Sequence, residues 1–258
     1  MSLSKPYKRL WRPLKGYSPL SEEWEYPDDP HPSINYLKDE KFVYQAEIGS
    51  LVNTVHLIIR DLYDVFNYVE PHEDNLGVFS HRLYELLLRT ATEYESNCKS
   101  ILKANGYSKN EKKMNITDYF KIAPVAKLAE YKVIFKRWAT PHEFKPFNVW
   151  NTASYVPLTW YQDYNHVKHN RYKYFNKANF FNVMNAISGL LCILHAQIGK
   201  NVDRACFEGV EMPQISQEQV DNGSFTIIAP SFPEEEQYDF IWDNIKDDPN
   251  PVNKYTFT

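Results

Sequence analysis

The chain has 258 residues, long enough to bury a sizeable core. Hydrophobic residues make up 43% and aromatic residues 16%, which excludes a disordered tail. Lys and Arg number 29 against 33 Asp and Glu, a net charge of −4, which excludes a globally basic nucleic-acid coat and leaves room for a local basic patch.

Only 8 Gly are present, which leans away from a large all-β fold and towards helices. Pro is clustered in the first 32 residues and again in the tail, so helices are expected in the middle and irregular chain at both ends. Cys98, Cys192 and Cys206 are far apart and show no C-x-x-C spacing. Neither a disulfide framework nor a zinc site is expected, and a reducing cytoplasm suits free thiols. Residues 1–17 are basic without an apolar core, unlike a secretory signal.

Residues 1–35 read as an irregular arm whose Trp11, Tyr17, Trp24 and Tyr26 should lie across the domain. Residues 36–70 read as a long helix, with Ile48, Leu51, Val52, Val55, Ile58, Ile59, Leu62, Phe66 and Val69 at helical spacing and Pro71 as the stop. After a loop over 72–78, a second helix is expected over 80–105, striped by Leu83, Leu86, Leu87, Thr90, Tyr94, Cys98, Ile101 and Leu102. Asn105-Gly106 marks its end, and Glu85 with Arg89 forms an i,i+4 pair on its exposed side. The short connection predicts an antiparallel hairpin of the two helices.

Thr117-Asp118 predicts a cap for a short helix over 118–122. Residues 131–138 alternate as a strand, and 144–150 return beside it with Pro146 at an edge, a small β insertion over 131–150. A third long helix is expected over 164–200, ended by Gly199. Its most lipid-like stretch, 180–198, carries Asn182, Asn185, His195 and Gln197 and reads as a buried core helix, so no membrane contact is expected. Residues 201–258 form an extended tail, with one strand over 224–229 and an acidic segment around 234–239 that should pack on something basic. The fold class expected is mainly α: an antiparallel helical bundle with long helices, a small β insertion over 131–150 within a domain spanning 36–200, and irregular arms over 1–35 and 201–258.

The informative stretch is WYQDYNHVKHNRYKYF, 160–175. On one helix Asn165, His169 and Tyr172 share a side, and Lys168 neighbours Arg171 and Tyr172. Over 163–177, Lys168, Arg171, Lys173 and Lys177 oppose only Asp163. Placed in the first turns of a long helix, this patch would have the dipole on its side and suits phosphate, with Tyr161, Tyr164, Tyr172 and Tyr174 as stacking faces. The competing reading is a solvated helix face with no ligand. His56, His72, His81, Glu73 and Asp74 match no metal-ligand spacing, and no Walker loop, G-x-S-x-G or H-E-x-x-H occurs. No metal and no cofactor are expected.

A helix pair followed by a helix carrying Asn165-x-x-Lys168-His169-x-Arg171 resembles the HEPN superfamily (higher eukaryotes and prokaryotes nucleotide-binding). Asn165 and His169 fit the family's Asn and His places, whereas Tyr164 stands where the family's Arg is expected. The resemblance implies an all-α bundle, a homodimer with its site built from two copies of the motif, and binding of RNA or nucleotide. It also implies defence or stress systems, a cognate protein partner, and in active members metal-independent endoribonuclease chemistry. The residues it singles out are His169 for proton transfer, Lys168 and Arg171 for phosphate charge, and Asn165 for orientation. Tyr164, Tyr172, Lys173 and Lys177 would add nucleic-acid contacts. The alternative is a non-catalytic interaction protein whose basic patch binds an acidic partner or its own acidic tail.

Overall fold

A computed structural model describes residues 3–15, 45–138, 140–199 and 225–257, with the backbone alone for 45–48. The chain is mainly α, with a small three-stranded antiparallel sheet. Helix α1 spans Gln45–Phe66 and ends before Pro71 is reached. Val52, Val55, Ile58, Ile59, Leu62 and Phe66 are buried along it. Helix α2 spans His81–Ala104; the Ser80 hydroxyl accepts from the Leu83 amide and caps its start. Asn105 caps its end, where Gly106 takes a φ of +84° that a side chain would resist. Every member of the apolar stripe expected for this helix is buried. Arg89 does not pair along its own helix with Glu85; it reaches across to Asp61 of α1 at 2.6 Å, while Glu85 meets Arg82.

Short helices α3, Ile116–Tyr119, and α4, Ile122–Ala126, follow. The cap is Asn115, two residues before the expected pair, and Asp118 closes a capping box from the third position. The Asp118 carboxylate, 4% exposed as a residue, also accepts from Lys109 at 2.6 Å and Tyr107 at 2.9 Å.

Strand β1, Lys132–Phe135, pairs antiparallel with β2, Glu143–Phe144, on one side and with β3, Phe225–Ile228, on the other. The sheet is therefore not a local insertion: its third strand comes from the tail, with Val133 opposite Ile227.

The expected third long helix over 164–200 is broken. Helix α5 runs Thr159–His169, α6 is a single turn at Arg171–Tyr174, and α7 runs Phe180–Ile198. Asn170, at φ −148° and ψ 72°, interrupts the first run, and Asn179 caps the last by accepting from the Asn182 amide. Helix α7 is long and apolar enough to cross a membrane by length and composition, and 94% of its most apolar window is buried inside the fold. It packs against α2, α5 and the sheet.

The two ends of the chain meet. Trp11 donates its amide to the Ala196 carbonyl and sets its indole against His195. Leu3 and Leu14 both bridge to Tyr238, and Tyr7 bridges to Asn253. Tyr17, Trp24 and Tyr26 of the expected aromatic arm lie outside the described residues. The final helix, α8, is the short turn Trp242–Ile245.

Candidate functional site

The break at Asn170 decides the local electrostatics. Asn165, His166, Lys168 and His169 occupy the last turns of α5, not the first turns of a long helix. The helix dipole there favours cations and opposes anions. Helix α5 therefore presents its carbonyl end to the patch and not its first amides, and Lys168 and His169 complement a C-terminal dipole. A ligand anion would have to be held by side chains.

Each side chain has a definite place. His169 is exposed at the last residue of α5. Asn165 is half-buried and donates to the Tyr161 carbonyl one turn back, a bond within its own helix. The Tyr164 ring is buried at 1% exposure and offers no free face for stacking. Its hydroxyl accepts from Lys168 Nζ at 2.8 Å, and the ammonium lies 4.9 Å from the ring centre. Partial burial pulls the Lys168 pKa down, but the bond to Tyr164 and the nearby Glu95 carboxylate outweigh it, so the net shift is upward and the charge is kept.

Arg171 is exposed and lies over the rings of Tyr84 and Phe175. Lys173 is exposed and sits 5.0 Å from the Tyr174 ring. Tyr172 is fully exposed, and none of the described residues covers its ring. Lys177 turns the other way, towards Asp163 at 3.5 Å. Among the described residues, Lys168, Arg171 and Lys173 make no ion pair with a carboxylate, whereas Asp163 is engaged by Lys177, His166 and Asn182.

The structure adds residues from another element. Phe79 and His81, at the start of α2, pack against Phe175, at 5.7 Å and 4.8 Å between ring centres. Phe79 is 49% exposed, so the α5–α6 knuckle continues into an aromatic surface topped by Arg171. The sequence carried no local signal for this, because 79–84 and 171–175 are brought together by tertiary contacts: the packing of α2 on α5 and α7, and the backbone bonds from Phe180 and Phe181 to Val78 and Leu76.

The acidic segment lies elsewhere. Glu236 pairs with Lys127 at 3.1 Å and with Arg12 at 3.5 Å, and Lys15 lies within 4 Å of Glu234 and Asp239. Its basic partner is thus the N-terminal arm together with Lys127. Among the described residues no ion pair joins it to the knuckle. Burial pulls the Arg12 pKa down, partly offset by Glu236, and the guanidinium lies 4.3 Å over the Phe232 ring.

Cys98 and Cys192 are fully buried, and burial pushes both thiols well above the usual range, so neither serves as a nucleophile. Among the described residues no three His, Cys, Asp or Glu side chains gather closely enough to hold a metal ion. Comparison with protein-family models, with curated proteins and with solved structures finds no match to this chain.

Proposed function

We propose that this chain is an HEPN-like antiparallel helical bundle of the cytoplasm that binds single-stranded nucleic acid or a nucleotide at the α5–α6 knuckle. The observation that carries the reading is the set of three cations, Lys168, Arg171 and Lys173, without carboxylate partners among the described residues of a protein of net charge −4. Beside them stand the uncovered Tyr172 ring and the half-open Phe79 ring. Cations for phosphates next to open aromatic faces for bases are the two elements of single-strand binding. An external polyanion is a better reading than the chain's own acidic tail, whose Glu236 is already engaged by Arg12 and Lys127.

The resemblance adds a homodimer and a metal-independent endoribonuclease, with His169 as the proton-transfer group. The test of binding is fluorescence anisotropy of a labelled single-stranded oligonucleotide. The double variant Arg171→Gln, Lys173→Gln should bind more weakly than the parent, and equal affinity would refute the assignment. Both side chains are exposed, so the variant keeps the fold.

A further inference from the structure

His166 was not among the residues that the resemblance picks out, yet it is the imidazole of the knuckle that is held in place. Behind it stands Asp163, 7% exposed. One oxygen of this carboxylate accepts from Asn182 Nδ2 at 2.9 Å and lies 3.5 Å from Lys177 Nζ. The other lies 3.6 Å from His166 Nδ1. The His166 ring is stacked on Tyr174, 4.8 Å between centres and 23° between planes. Its side chain is nonetheless 52% exposed. With Nδ1 turned to the carboxylate and one face on Tyr174, the tautomer carrying a proton on Nδ1 leaves the Nε2 lone pair outward. At 3.6 Å this contact is an ion-pair distance and not a hydrogen bond; contacts of catalytic pairs are often long before substrate binds and tighten with it. His169 stands three residues on, exposed, with a Cβ separation of about 5–6 Å expected from helical spacing.

We infer that the α5 terminus is a self-contained two-imidazole centre for cleaving single-stranded RNA, with His166, oriented by Asp163, as the base and His169 as the acid. This rests on the nucleic-acid reading above and goes beyond it, because it needs neither the family's Arg nor a second copy of the motif. His166 Nε2 takes the proton of a ribose 2′-hydroxyl as the 2′-oxygen bonds to phosphorus. The bond from phosphorus to the 5′-oxygen breaks, and that oxygen takes a proton from the His169 imidazolium. The products are a 2′,3′-cyclic phosphate and a 5′-hydroxyl. Arg171 and Lys173 offset the charge that builds on the non-bridging oxygens. Asp163 is a positioning residue: it sets the ring and takes no proton.

The experiment is cleavage of a labelled single-stranded RNA by the full chain with EDTA present, with end-group analysis, beside binding of DNA of the same sequence, which lacks the attacking hydroxyl. Cyclic-phosphate ends are expected. His166→Ala should lower kcat by about a hundredfold or more, the usual weight of a proton-transfer group, with DNA affinity unchanged. Asp163→Asn should lower kcat and leave KM as it is, which a merely structural role would not do. His166→Ala cleaving at the parent rate overturns the inference, as does a parent protein that binds RNA and DNA but leaves RNA intact; in both cases the binding reading survives. A parent protein that binds neither refutes both. Loss of DNA affinity in His166→Ala would make His166 a binding contact and would also overturn the proposal.

Discussion

Salt dependence tests the knuckle most sharply, because its expected slope follows from a count of side chains. Three cations there have no carboxylate partner among the described residues: Lys168, Arg171 and Lys173. Lys177 is not added, since it faces Asp163. Each phosphate neutralised on a single strand contributes about −0.7 to the slope of log affinity against log salt, so three give about −2.1. Between about 50 and about 200 mM salt, affinity should then fall about 18-fold. In Arg171→Gln, Lys173→Gln one cation is left, the slope should shrink to about −0.7, and the same change in salt should weaken binding only about threefold. Anisotropy titrations at four or five salt concentrations measure both slopes. A parent slope near zero, or the same slope in the variant, would refute the argument that these side chains meet phosphates.

Four further outcomes are expected. Gly199→Ala should lower the thermal midpoint, because Gly199 holds a φ of +63° and a Cβ there would overlap the Trp11 indole; the backbone strain alone is about 1–3 kcal/mol. Burial raises the Asp118 pKa, but Lys109, the Asn115 amide and Tyr107 outweigh it and the net shift is downward. A depressed carboxylate gives stability that is present above its unfolded value and is lost as pH falls through the folded one, so Asp118→Asn should flatten the decline in the urea midpoint below about pH 4. The double variant Glu234→Gln, Glu236→Gln should leave oligonucleotide affinity unchanged and lower the thermal midpoint, since these groups meet Arg12, Lys15 and Lys127; stronger binding would instead reveal an autoinhibitory tail. Iodoacetamide should leave Cys98 and Cys192 unmodified in the native protein and label both in denaturant, as mapped by mass spectrometry.

What was legible in the sequence had a local cause. Helix α2 follows from Ser80, a stripe of period 3.6 and Asn105-Gly106, all within its own residues. The strands at 132–135 and 225–228 were each visible, the first as an alternating run and the second as a short apolar run, but their pairing joins segments about ninety residues apart, and no local pattern encodes a partner at that distance. The acidic segment did announce a basic partner by its charge. It did not say which, because Arg12, Lys15 and Lys127 are ordinary cations until the fold gathers them. The break after His169 was hidden differently. The apolar spacing of 175–194 continues smoothly enough to bridge it, and the only local signals were Asn170 and Asn179, whose side chains cap the turns that follow.

That break is the condition for the site. In an unbroken helix Tyr174 would lie about 12 Å along the axis from His166, and Asn182 about 28 Å from Asp163. The observed separations are 4.8 Å between the His166 and Tyr174 rings and 2.9 Å from Asn182 to Asp163. The chain must therefore fold back between 169 and 180; Asp163 stands behind His166 by the i,i+3 spacing of α5 alone, but only the folded-back chain can set the Tyr174 ring beneath His166 and Asn182 against Asp163. The same turn reverses the dipole argument. A patch at a helix start would add backbone amides to its side chains, whereas this one, at a helix end, works against an anion by about 0.3–1 kcal/mol. Among the described residues the cations without a carboxylate partner there are Lys168, Arg171 and Lys173, which is why removing two of these charges should take away two-thirds of the salt slope.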